Sequence, residues 1–203
     1  MLTLRTVAPY RLQLLGLPLL MMASFFHEPE GIVPAAVLLS ASPAASYPFI
    51  VSERAHLDTL YAILPLTRRS LLLGRYAWAL APFVATVCVG IPVSLLFARL
   101  ENVPFGGYAL MDVVAVSWAL FALNISIQFP VFVWFGYTRA GMLGTTVPII
   151  MVAFFLAALR VSGHIKPGPV WLTPAAGGVV LFCASAALAM ALDPRRVRRP
   201  IAE

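Results

Sequence analysis

Apolar residues run through this chain in long uninterrupted blocks, not in the alternating or 3.6-residue stripes of a fold that keeps one face in water. Six blocks approach the length a helix needs to cross a bilayer, about 20 residues for a hydrocarbon core about 30 Å thick. They are Pro9 to Phe26, Ile32 to Val51, Tyr76 to Ala98, Val113 to Phe135, Met142 to Leu159 and Val170 to Leu192. The pattern predicts an all-α, polytopic membrane protein with six transmembrane helices, forming one transmembrane domain over residues 1–203. In the first block Arg11 snorkels to the surface, and Pro18 and the lack of an A-x-A site argue for a retained span over a cleaved signal peptide. Pro34, Pro43 and Pro48 predict a bent second span whose freed carbonyls need donors from neighbouring helices.

Composition agrees: 61% of the 203 residues are apolar, 11% are charged, and the mean hydropathy is +0.92. The net charge of +6 changes the picture more, because thirteen of the fourteen basic residues are arginine and they sort by side. With the N-terminus inside, the inner face carries Arg5, Arg11, Arg54, Arg68, Arg69, Arg75, Arg139, Arg195, Arg196, Arg198 and Arg199. The outer face keeps Arg99, Arg160 and Lys166. Cytoplasmic loops collect positive charge, so this sorting predicts an even number of spans with both termini in the cytoplasm. The Arg-rich, Ala-rich composition fits a GC-rich bacterial genome. Tyr10, Tyr47, Tyr76, Trp78, Tyr108, Trp134, Tyr137 and Trp171 fall near span ends, where amphipathic rings settle, whereas Trp118 lies deeper.

One connection, residues 52–75 on the inner side, is long enough to hold structure of its own. Ser52 is a candidate N-cap, and Leu57, Leu60, Tyr61 and Leu64 then follow at the spacing of one helical face. Pro65 stops that helix, and Thr67 can cap a second one carrying Arg68, Arg69 and Leu71 to Leu73 toward Gly74, Arg75 and the third span. An elbow of two short surface helices results, and lipid headgroups would anchor its basic end. The stretch from Ser52-Glu53-Arg54 through Leu64-Pro65-Leu66-Thr67-Arg68-Arg69 to Gly74-Arg75-Tyr76 resembles the cytoplasmic signature of ABC-2-type transporter permeases. There a Glu opens the segment, a Leu-Pro-x-Ser/Thr-Arg motif marks the turn, and a Gly-Lys-Tyr-like triplet starts the next span; Arg75 stands here where Lys is usual.

The resemblance implies the membrane subunit of an ABC exporter, paired with a second permease copy or paralogue and with two cytoplasmic ABC ATPase subunits. Glu53, Pro65, Arg68, Arg69, Gly74 and Arg75 would then belong to the coupling helix that sits in the ATPase. ATP and Mg would be bound on that partner, with no cofactor on this chain and no nucleic-acid partner. Two readings of Glu53 stay open: a mechanical role in the elbow, and a charge placed at the positive end of its own helix's dipole.

Ser117, Asn124 and Gln128 recur at i, i+7 and i+11, which puts them on one face of the fourth span. Such a stripe points into the bundle, a dimer seam or an aqueous path, so interhelical hydrogen bonds and a substrate-lining role both remain. Gly177, Gly178, Ala184 and Ala187 predict close packing of the sixth span, and Cys88 and Cys183 read as small apolar packers outside any disulfide. Catalytic and metal sites find no support. Lys166 precedes Pro167, which rules out a P-loop lysine, and His27, His56 and His164 are scattered. Asp58, Asp112 and Asp193 are far apart in sequence, and with no ionisable group deep in a span, coupling to protons or sodium is disfavoured. The alternative is a non-transporting membrane assembly or interaction protein that uses its basic segments as lipid anchors.

Overall fold

The computed structural model describes residues 29–55, 68–102, 106–162 and 171–191, which are helical throughout apart from short turns. A composite helix opens the described chain: α1 (Pro29–Ala36), a π-helical turn (Val37–Ala41), α2 (Ser42–Ala45) and α3 (Tyr47–Arg54). Then come α4 (Arg68–Leu100), α5 (Gly107–Phe135), α6 (Tyr137–Ser162) and α7 (Leu172–Ala191). Five stretches among the described residues are long and apolar enough to cross a membrane: Gly31–Arg54, Arg69–Leu100, Gly107–Phe135, Tyr137–Phe155 and Leu172–Ala191. The expected first span, residues 9–26, lies outside the described residues.

Proline chemistry shapes the composite helix. Pro43 has no amide hydrogen, and its ring crowds the carbonyl four residues back; the turn just before it is widened to a π-helix, in which Ser42 N–H reaches the Val37 carbonyl. Pro48 likewise deprives the Ala44 carbonyl of its helical donor, and Trp78 on α4 donates its indole N–H to that oxygen over 3.4 Å. The expectation that neighbours satisfy freed carbonyls is met there by a named side chain.

The composite helix and α5 form the centre of the bundle. Half of the most apolar window of Gly31–Arg54 is buried, against 22% for the window of α4 and 17% for that of α7. The most extensive pairing is between α5 and α7. At its middle Gly178 lies so close to Trp118 that a Cβ there would stand 2.6 Å from the indole Cδ1 and Nε1. Gly177 has open space instead, and Ala184, Ala187, Cys88 and Cys183 are exposed on the outside of the chain. Of the four small residues expected to pack, Gly178 does so, and the packing face of α7 continues through Ser185 and Ala189 instead of Ala184 and Ala187. Large apolar side chains such as Val84, Val89, Phe154, Val180 and Leu188 project outward, which suits a surface facing lipid.

Helix boundaries depart from the sequence reading at the elbow end, the end where α3 finishes and α4 begins. The second elbow helix does not exist as a separate element: Arg68, Arg69, Gly74 and Arg75 lie on one unbroken 33-residue helix. A single Gly costs a helix only about 1 kcal/mol, and packing from Tyr76 onward supports the turns before it. Such a helix is about 50 Å long, well beyond a core of about 30 Å. Residues 136–141, read as a loop, reduce to a junction of one residue, Gly136, between α5 and α6. Ser52 is no N-cap; it is buried inside α3, which continues to Arg54.

Candidate functional site

Two polar clusters stand out, one at the elbow end and one deep in the bundle. At the elbow end, an aromatic frame comes first. Phe49 of α3 meets Phe129 and Phe132 of α5 at ring-centre distances of 4.9 and 5.6 Å, and Tyr76 of α4 meets Phe129 and Phe182 at 4.9 and 5.3 Å. Tyr137 of α6 joins through Phe132 at 5.2 Å. The Tyr76 hydroxyl shares a hydrogen bond of 2.8 Å with Ser185 Oγ of α7. Rings from all five described spans thus frame the polar side chains beside them.

On that frame, Arg75 lies back against α3. Its guanidinium sits 4.4 Å from the centre of the Phe49 ring and donates to Ser52 Oγ over 3.1 Å. A planar cation over a ring with a hydrogen bond at its edge is an arrangement Arg suits better than Lys. The chain therefore leaves for residues 56–67 at Ala55 and returns at Arg68 on helices that are joined to each other. Arg69 and Gly74 are exposed, and a Cβ on Gly74 would meet nothing within 4 Å from the other described elements. Pro65 and Thr67, with Leu57, Leu60, Tyr61 and Leu64, lie outside the described residues.

Glu53 does not begin a helix, as its reading as a dipole-favoured charge required. It occupies the C-terminal turn of α3 and not the start of a helix, so its own helix dipole gives it no support. Its carboxylate instead reaches the beginning of α6, 85 residues away, where Thr138 donates its backbone N–H to Oε2 over 2.8 Å and its hydroxyl to Oε1. The reason is Gly136. This residue closes α5 by donating to the Phe132 carbonyl and opens α6 by accepting from Ala140 N–H, so it is the N-cap position of α6. Its φ of +79° and ψ of 157° suit glycine alone, and glycine has no side chain with which to cap. Glu53 supplies the missing acceptor from another helix, and a Cβ on Gly136 would stand 3.0 Å from Oε1.

Deep in the bundle, Ser117, Asn124 and Gln128 are all fully buried on the inner face of α5. Only two of them meet. Gln128 Nε2 donates to Asn124 Oδ1 over 3.0 Å, while Ser117 Oγ donates to the Val113 carbonyl of its own helix over 2.7 Å. Gln128 Nε2 also faces the Leu143 and Gly144 carbonyls of α6, each at 3.4 Å. Pro148 explains the second contact: it carries no N–H for the Gly144 carbonyl four residues back, and Gln128 from the neighbouring helix faces the oxygen left over. Asn124 Nδ2 and Gln128 Oε1 have no hydrogen-bond partner among the described residues.

That reading has a direct check. Gln128→Leu is expected to lower thermal stability by about 0.6 to 2 kcal/mol, the range for interhelical bonds in bilayers. Pro148→Ala restores an N–H to the Gly144 carbonyl, so the loss caused by Gln128→Leu should shrink in the Pro148→Ala background. Four unfolding curves in lipid nanodiscs measure this, and equal losses in both backgrounds would exclude the link.

Sequence reasoning missed the places of Gly136, Thr138 and Pro148 in these two clusters. Gly136 carried a signal, a lone glycine between a Trp-Phe pair and a Tyr-Thr-Arg run at the basic end of two spans.

A search of curated proteins and one of solved structures yield no match to the chain. The family model for ABC-2 family transporter proteins, in contrast, matches residues 5–192, which takes in every described helix and both polar clusters. On that match the chain belongs to the ABC-2 transporter membrane family, as a multi-pass permease subunit of an ABC transporter.

Proposed function

We propose that this permease works as an exporter subunit in the bacterial inner membrane, driven by ATP hydrolysis on a separate cytoplasmic ABC ATPase and completed by a second permease copy or paralogue. The observation that carries the reading is the construction of the elbow end. The two helices leading into residues 56–67 are fastened to each other through Arg75 and Ser52, and α3 is fastened to α6 through Glu53. A passive lipid anchor needs only charge, whereas a lever must be held rigidly to what it moves. Arg54, Arg69, Arg75 and Arg139 share this end and Arg99 lies at the far end of α4, an arrangement that suits a cytoplasmic elbow.

Nucleotide and Mg2+ would sit on the ATPase, and this chain would contribute the mechanical element. The test is to tag the chain, solubilise native membranes and identify what remains bound: an ABC ATPase with vanadate-sensitive hydrolysis is expected. Recovery of the chain with lipids and no ATPase would favour the assembly-protein alternative.

Topology gives a second test. A reporter active only outside the cytoplasm should be silent when fused after Glu203 or within residues 52–75, and active when inserted between Arg99 and Tyr108. Activity at the C-terminal fusion would overturn an even span count with internal termini.

A further inference from the structure

We infer that Glu53 is a clamp that makes the base of the elbow and the start of α6 one rigid body, so that displacement of the elbow is delivered to α6 as well as to the helices contiguous with it. The delivery of motion rests on the proposed coupling role; the clamp itself does not.

The chain of reasoning begins at Gly136. With one residue between α5 and α6, the first amides of α6 have no capping side chain of their own. The Glu53 carboxylate accepts from both the N–H and the hydroxyl of Thr138, a two-point attachment that fixes orientation as well as distance. It also meets the positive end of the α6 dipole, so it is favoured electrostatically at that spot. On the other side of the same helical turn, Arg75 holds Ser52 and covers Phe49. α3 is therefore gripped by α4 and α6 one residue apart, immediately before the chain leaves for the elbow. If Glu53 let go, the aromatic contacts would still hold α3 to α5, whereas α6 would lose the two hydrogen bonds that tie Thr138 to α3. The clamp thus acts on α6 selectively. Glu53 is a positioning residue: it acts through Thr138 and touches no cargo.

The experiment uses the full chain in nanodiscs, in a background with Cys88 and Cys183 replaced by Ser. Spin labels are attached through cysteines at the exposed positions Val51 on α3 and Arg139 on α6. Wild-type Glu53 should give one narrow distance distribution, and Glu53→Ala a broad one. Amide exchange of Thr138 should accelerate by roughly fivefold or more in Glu53→Ala, the factor an ordinary helix cap contributes. Glu53→Gln keeps one acceptor oxygen and should fall between. Unchanged distances and exchange in Glu53→Ala would overturn the clamp.

With the co-purifying ATPase present, trapping by ATP, Mg2+ and orthovanadate should shift a label on Arg139 relative to one at Leu80 of α4 in wild type and leave it in place in Glu53→Ala. An equal shift in both would overturn the delivery of motion. If no ATPase accompanies the wild-type chain, the exporter reading and the delivery of motion fail together, while exchange and distances still decide the clamp.

Discussion

Reversing Arg68 and Arg69 together to Glu is expected to leave the chain inserted in the membrane and to separate it from the ATPase partner proposed above. Insertion should persist because Arg54, Arg75 and Arg139 at the same end, with Arg195, Arg196, Arg198 and Arg199 in the tail, keep the charge bias. The partner contact should not persist. α4 is longer than a bilayer crossing requires, so its arginine end stands past the hydrocarbon, and Arg69 is exposed there. Placing like charges against an acidic partner surface costs several kcal/mol, which weakens binding by about a hundredfold or more. Co-purification and pull-down titration measure the loss. The doubly Lys-substituted protein separates two kinds of contact: it should bind nearly normally if the arginines serve only as point charges, and poorly if they grip a carboxylate bidentately. Full partner binding by the Glu variant would make the segment a passive loop.

The second large effect concerns folding. Gly178→Leu should unfold or grossly destabilise the pairing of α5 with α7, at a cost of about 1 to 3 kcal/mol or more. A Cβ would stand 2.6 Å from two indole atoms of Trp118 and 3.3 Å from the Ala119 Cα. Moving the indole aside would break its ring contacts with Phe83, Phe121 and Phe182, at ring-centre distances of 5.2, 6.3 and 5.6 Å. Gly177→Leu is the control: the same helix, one residue earlier, with open space around the Cα. Thermal unfolding of the two variants in detergent should differ by many degrees, and similar curves would show that the close approach at Gly178 contributes nothing.

What the sequence made legible follows the range of the physics involved. Span positions rest on composition over about 20 residues, and the described spans lie where the apolar blocks do. That Pro48 would need outside help was readable from its missing N–H; that Trp78 would provide it was not, since this depends on how α4 lies against α2. Ser52 met the local pattern of an N-cap, but it lies inside α3, which runs on to Arg54, and Arg75 uses its hydroxyl as an acceptor. The stripe of Asn124 and Gln128 was legible as periodicity, whereas its link to Gly144 required knowing which helix carries a proline opposite it. Glu53 shows the limit most clearly: an isolated carboxylate reads as a charge on its own helix, and only the fold brings the uncapped start of α6 beside it.

The one-residue junction at Gly136 also bears on how the protein is made. Helices of 29 and 26 residues joined without a loop leave no polar segment between them to be threaded or retained separately. α5 and α6 are therefore suited to enter the bilayer as a single hairpin, with the Trp134, Phe135 and Tyr137 rings settling at the interface and Arg139 barring passage of the tip. An insertion of a few residues after Gly136 would turn a concerted entry into two successive ones, and its signature would lie in the yield of membrane-integrated chain, before any question of transport arises.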